Sequence, residues 1–129
     1  MNWTIEFTTD LFNSTESKQH FINERGFGED LIGWVVERFD DPTFTFEEPF
    51  QEDWGWATIV RKSSATFWIG AGIMDESIGA VPARWLLMVD KKRRFPIFRL
   101  RRPPSLGLLV NKLEELLRNE PRITAIERY

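Results

Sequence analysis

The 129-residue chain has no cysteine, which excludes disulfides, thiolate metal sites and a cysteine nucleophile. Its single histidine, His20, excludes a metal site built on two or three imidazoles. No stretch approaches the ~18 uninterrupted apolar residues of a membrane span. The opening run Met1-Asn2-Trp3-Thr4-Ile5-Glu6 lacks the basic region and apolar core of a signal peptide. A cytoplasmic protein without membrane contact is the expectation. Motifs for cofactors and catalysis are lacking too. Gly70-Ala71-Gly72 has neither the Lys-Ser/Thr pair nor the following glycine of a phosphate loop, and reads as a narrow or bulged strand position. There is no D-x-D-x-D-G calcium loop and no G-x-S-x-G elbow to recruit His20. His20 reads as an exposed, ordinary histidine. No cofactor, metal ligand or catalytic residue is therefore assigned.

What the chain does have is aromatic weight, with six Trp and eleven Phe, and a charge sorted along its length. Residues 1–60 hold thirteen acids and three bases, a net −10. Residues 61–129 hold seven acids and fourteen bases, a net +7, which leaves the overall −3. Such asymmetry steers charged partners or lets the two halves attract each other. At this length one domain, residues 1–129, is expected, burying roughly two-thirds of the surface of its unfolded chain.

Hydrophobic periodicity places the elements. Trp3 to Thr8 alternates as a half-buried strand. Asn13 with Glu16 three residues on resembles a capping box, predicting a helix through Phe21 and Ile22. Glu29 to Arg38 carries a second helical stripe of Leu31, Ile32, Val35 and Val36, stopped by Asp40-Asp41-Pro42. A short strand is expected around Phe44 to Glu47, then loop around Pro49. Trp54 to Val60 and Thr66 to Ile73 read as a hairpin turning at Lys62-Ser63-Ser64. Arg84 to Val89 follows as a strand, and Ile97 to Arg101 as an edge strand whose charges argue against pairing between two copies. Pro103-Pro104-Ser105 opens a helix with Ser105 as N-cap and a buried stripe of Leu106, Leu109, Leu113, Leu116 and Leu117. Ile123 to Glu127 closes the chain as a strand. The order β-α-β-β-β-β-α-β predicts an α+β domain, a mainly antiparallel sheet of about five or six strands with helices on one face.

Two stretches carry a family resemblance: Glu48-Pro49 with Glu52-Asp53-Trp54-Gly55-Trp56, and Leu113-x-x-Leu116-Leu117-x-x-x-Pro121-Arg122-Ile123. They resemble a group of small bacterial proteins, known mainly from genome sequences, that carry an E-D-W/F-G-W strand start and end in a helix, D-P-R-I and a short strand. The likeness covers about a third of the chain and implies a fold and a bacterial source, with no settled activity. The chain departs from the pattern at Glu127 and in the helical region from Gly26 to Phe39.

Three functions compete. An acidic surface of Asp40, Asp41, Glu47, Glu48, Glu52 and Asp53 suits a non-enzymatic interaction module, inhibitor- or immunity-like, that meets a basic protein. The basic segment Lys91, Lys92, Arg93, Arg94, Arg99, Arg101 and Arg102, interleaved with Phe95 and Phe98, suits nucleic-acid phosphates and bases, although the protein as a whole is acidic. Paired carboxylates within residues 47–53 would suit a hydrolase. For each charge run the plainer reading is a solvated face or internal ion pairing. Trp54 and Trp56, two apart, are expected to share a strand face with Trp68 and Trp85, mainly as core.

Overall fold

Alternation in β1 (Trp3–Thr9) does what its pattern requires: Ile5 and Phe7 are fully buried while Thr4, Glu6 and Thr8 stay partly open. The computed structural model describes residues 3–22, 26–91 and 104–129. After β1 come α1 (Glu29–Arg38), β2 (Thr45–Phe46), β3 (Phe50–Glu52), β4 (Gly55–Lys62), β5 (Ala65–Ile73), β6 (Ala83–Lys91), α2 (Pro104–Arg118) and β7 (Ile123–Arg128). The strands form one antiparallel sheet in the order β2-β4-β5-β6-β1-β7, with β3 also on β4. The α+β expectation holds, with seven strands rather than five or six.

Three local expectations are corrected. No helix follows Asn13. Its Oδ1 does accept the backbone N–H groups of Thr15 and Glu16, at 3.2 and 2.9 Å. But residues 15–20 are all exposed and Ile22 is 90% exposed. A capped turn with no apolar face to bury does not propagate. The loop around Pro49 contains the unexpected strand β3. It forms because β4 is long enough to pair with β2 through Val60 and Arg61 and with β3 through Gly55 to Ala57. Finally, α2 starts at Pro104, placing Ser105 inside the first turn rather than at the cap. Proline suits a first helical position because its missing N–H would have no partner there. The expected edge strand Ile97 to Arg101 lies outside the described residues.

Both helices cover the same face of the sheet. Leu31, Ile32 and Val35 of α1 and Leu106, Leu109, Val110, Leu113 and Leu117 of α2 join one core with Ile5, Phe7, Phe67, Ile69, Trp85 and Leu87. Phe7 stands at its centre, opposite Trp85 in the β1–β6 ladder. Phe7→Ala should cost about 3–5 kcal/mol in urea unfolding, the range for a fully buried ring.

A charged clamp ties α2 to β7. Glu114 on α2 accepts from Arg118 one turn on, at 2.8 Å, and from Arg128 on β7, at 3.1 Å. These two hydrogen bonds hold its carboxyl below the ordinary value. A carboxylate with a depressed folded pKa contributes stability that is complete above its unfolded value and is lost as pH falls through the folded one. Glu114→Gln should therefore flatten the acid limb of the stability curve below about pH 4.3. At neutral pH it should lower stability by about 1 kcal/mol, measured by denaturant titration across pH.

Candidate functional site

The acidic residues singled out in the sequence are spread along the β4 edge of the sheet and do not form one cluster: Glu47 lies by Arg61 near one end of β4, and Glu52 by Gly55 at the other. Asp40, just after α1, pairs with Lys112 of α2 at 3.4 Å. Asp41 accepts from the Thr43 hydroxyl and backbone N–H, at 2.6 and 2.9 Å, and these bonds, the hydroxyl's foremost, lower its pKa. Glu47 is ion-paired with Arg61 across the β2–β4 edge. Asp40, Asp41 and Glu47 are thus engaged within the fold. Glu48 and Asp53 are exposed and Glu52 half-buried, on and around β3.

Aromatic side chains stand among the carboxylates of this edge. Phe50 is 38% exposed and Trp54 39% exposed. Strand alternation puts Phe50 and Glu52 on the same face, with Phe50 opposite Ala57 and Glu52 opposite Gly55. That is the face away from the helices, because Trp56 and Val60, one step out of phase, belong to the helix-covered core. On the helix side of the same edge, the Ile22 backbone N–H donates to Gln51 Oε1 at 2.5 Å. Ile22, Phe50 and Trp54, all large and exposed, thus gather around one three-residue strand.

The expectation of a single tryptophan face is overturned. Trp54 lies in the turn between β3 and β4, before the strand begins, so the two-residue spacing to Trp56 does not put them on one side. Trp56 is 8% exposed, and its indole N–H donates to the Gly26 carbonyl at 2.9 Å. Trp85 is fully buried on the same side. Trp54 instead folds over the opposite face and meets Trp68 edge-on, with ring centroids 5.5 Å apart and planes at 66°. The glycines of β5 make this possible. A Cβ at Gly70 would lie 2.5 Å from Trp68 Cη2 and 2.6 Å from Trp54 Cη2, so the two indoles converge where only glycine fits. Gly55 likewise admits the Ala71 carbonyl, which a Cβ there would meet at 2.2 Å. The reading of Gly70-Ala71-Gly72 as a narrow strand position therefore stands.

Of the basic run, Lys91 ends β6 within the described residues; Lys92, Arg93, Arg94, Arg99, Arg101 and Arg102 lie outside them. His20 is exposed and engages both carboxylate oxygens of Glu29 through Nε2, at 2.7 and 2.8 Å. Within residues 47–53, Glu47 is held by Arg61, Glu48 and Asp53 are exposed and Glu52 is half-buried. Among the described residues no three His, Asp or Glu side chains converge as a metal ion would need. Nor, among them, is any helix long and apolar enough to cross a membrane. Comparison with protein-family models, curated proteins and solved structures finds no match.

Sequence reasoning named Glu48, Glu52, Asp53 and Trp54 but missed Phe50 as a surface aromatic and Trp68 as the partner of Trp54. The alternation Glu48-x-Phe50-x-Glu52 was the available signal for a strand with one charged, aromatic side. Gly70→Ala should separate the two indoles. The expected result is a loss of about 1–3 kcal/mol with a changed near-ultraviolet circular dichroism spectrum. Gly33→Ala, in α1 with nothing within 4 Å of the added carbon, should instead stabilise by up to about 1 kcal/mol.

Proposed function

We propose that this chain is a non-enzymatic protein-interaction module that presents an acidic, aromatic sheet corner to a basic protein, in the manner of small bacterial inhibitor or immunity proteins. The observation that carries this reading is that the exposed rings of Phe50 and Trp54 and the carboxylates of Glu48, Glu52 and Asp53 all lie on or beside the short edge strand β3. Aromatic anchors inside a charged rim are the usual composition of an interaction hot spot. The carboxylates select a basic partner and raise its on-rate, and the rings supply desolvated contact area. Asp40, Asp41 and Glu47 belong to the other end of β4, and their bonds to Lys112, Thr43 and Arg61 make them structural first.

Charge-selective binding that weakens with salt is the expected behaviour. On arrays of basic, neutral and acidic twelve-residue peptides, the folded protein should retain the basic set. Glu48→Lys with Glu52→Lys should lower that retention by about tenfold or more without loss of fold by circular dichroism. Equal retention of all three sets, or binding unmoved by the double reversal, would count decisively against an acidic docking surface.

A further inference from the structure

An acidic docking surface defines its partner's chemistry only as basic, and the Trp54–Trp68 corner narrows it. Resting on that proposed function, we infer that the two indoles form a receptor for one arginine side chain of the partner. The guanidinium stacks on the exposed ring of Trp54, with Trp68 as the second wall and Glu52 as the nearby counter-charge.

Four observations converge on this assignment. First, the two ring planes stand at 66° with centroids 5.5 Å apart, so they form an angled corner and not a parallel stack. A corner of this kind offers two π surfaces to one cation, and ring faces attract cations through their quadrupole, tryptophan most strongly. Second, the corner is held in place by the backbone. The benzo edge of Trp54 runs along β5, with Cη2 2.6 Å from where a Gly70 Cβ would lie and Cε3 3.4 Å from where a Gly72 Cβ would lie. A ring seated this way loses little rotamer freedom when a ligand arrives. Third, Trp54 keeps 39% of its surface exposed despite that seating. Fourth, the local charge favours a cation: Glu52 shares the sheet face, in register with Gly55, and Gly55 is in register with Gly72 beneath Trp54.

The rest of the molecule already uses this contact. Arg38 stands over Trp34 at 5.0 Å, Lys62 over Phe44 at 4.8 Å and Arg128 over Trp3 at 4.6 Å. Among the described residues, no cation stands over Trp54 or Trp68. Arginine is favoured over lysine because its planar guanidinium stacks on an indole while its edge N–H groups still reach a carboxylate. An ammonium is more strongly hydrated and holds no plane.

The test is a coupling measurement on the full chain. The probes are a twelve-residue lysine-rich peptide with one central arginine, and the same peptide with citrulline, the uncharged isostere, in its place. The wild-type protein should bind the arginine peptide more tightly, and Trp54→Leu should cut the arginine-to-citrulline affinity ratio by about five- to tenfold. Trp54→Phe should recover part of that ratio. Because Trp54→Leu uncovers Gly70 and Gly72, a second measurement uses the wild-type chain alone. In heteronuclear NMR titrations, the indole Nε1–H signals of Trp54 and Trp68 should shift with the arginine peptide and much less with the citrulline peptide.

An arginine-to-citrulline ratio unchanged by Trp54→Leu, or indole signals that stay still during the arginine titration, would overturn the receptor. If in that case Glu48→Lys with Glu52→Lys still abolishes retention of basic peptides, the acidic docking surface stands and only the arginine receptor falls. If the wild-type protein shows no preference for basic peptides at all, the docking surface falls and takes the receptor with it.

Discussion

Among the described residues both helices cover the same face of the sheet, and much else in the structure follows from that arrangement. Residues in phase with Ile5, Phe7, Ile69 and Leu87 meet α1 and α2 and can be large and fully apolar. Residues out of phase by one lie on the face away from α1 and α2, where Ala57 and Ile59 are still buried and Leu86 and Met88 half-buried. Two features mark that face on the central strands. On β1 and β6 polar groups neutralise each other: Arg84 bonds Glu6 at 2.9 Å and, more loosely, Glu127 at 3.8 Å. On β5 the chain withdraws its side chains altogether at Gly70 and Gly72, and Trp54 folds across to shield the exposed backbone. A tryptophan that a core would bury is thereby left 39% exposed on the surface.

The sorting of charge along the chain becomes, in the fold, a set of contacts between distant segments. Glu6–Arg84, Asp10–Arg122, Asp40–Lys112 and Glu47–Arg61 each join an acid from the first sixty residues to a base from the remainder. Antiparallel pairing of β1 with β6 and β7 brings the chain's two halves side by side, and the acids and bases then meet across strand borders. Exposed pairs of this kind are worth at most about 1 kcal/mol each. Their greater effect is on register, since a one-residue slip would set carboxylates against apolar positions. Among the described residues β3 is a short strand with β4 alone beside it in the ladder, and Glu48 and Asp53 on its flanks are exposed.

How much of this was legible in the sequence depended on whether local pattern and tertiary context agreed. Helix α1 was readable residue for residue, because its apolar stripe, its first-turn acids and the Asp40-Asp41-Pro42 stop all point the same way. The β4–β5 hairpin was readable for the same reason. Asn13 misled because a cap signal is local while a helix needs a buried face, and residues 15–20 after it are all exposed, with Phe21 alone reaching the core. Trp54 misled because period-2 reasoning assumes the strand has already begun. The turn at Asp53-Trp54 breaks the phase and sends two tryptophans only two positions apart to opposite sides of the sheet. The acidic segment was visible as composition, but which acids face solvent was not. That depended on Arg61 and Lys112, which reach it from the far end of β4 and from a helix distant in the chain.

Gly70 shows how sequence, packing and surface chemistry meet in one residue. A side chain there would shield the sheet by itself and leave no room for either indole. Removing it weakens the strand locally, because glycine gives up more conformational freedom than any other residue and adds no packing of its own. That cost is offset only if something else covers the exposed backbone, and the covering groups are the two largest side chains available, brought in from the neighbouring turn and from two residues back along the same strand. Both are locked by the strand they shield, while the outer surface of Trp54 is left open. Glycine at this position is accounted for by the space that the two indoles occupy, 2.5 and 2.6 Å from where a Cβ would lie.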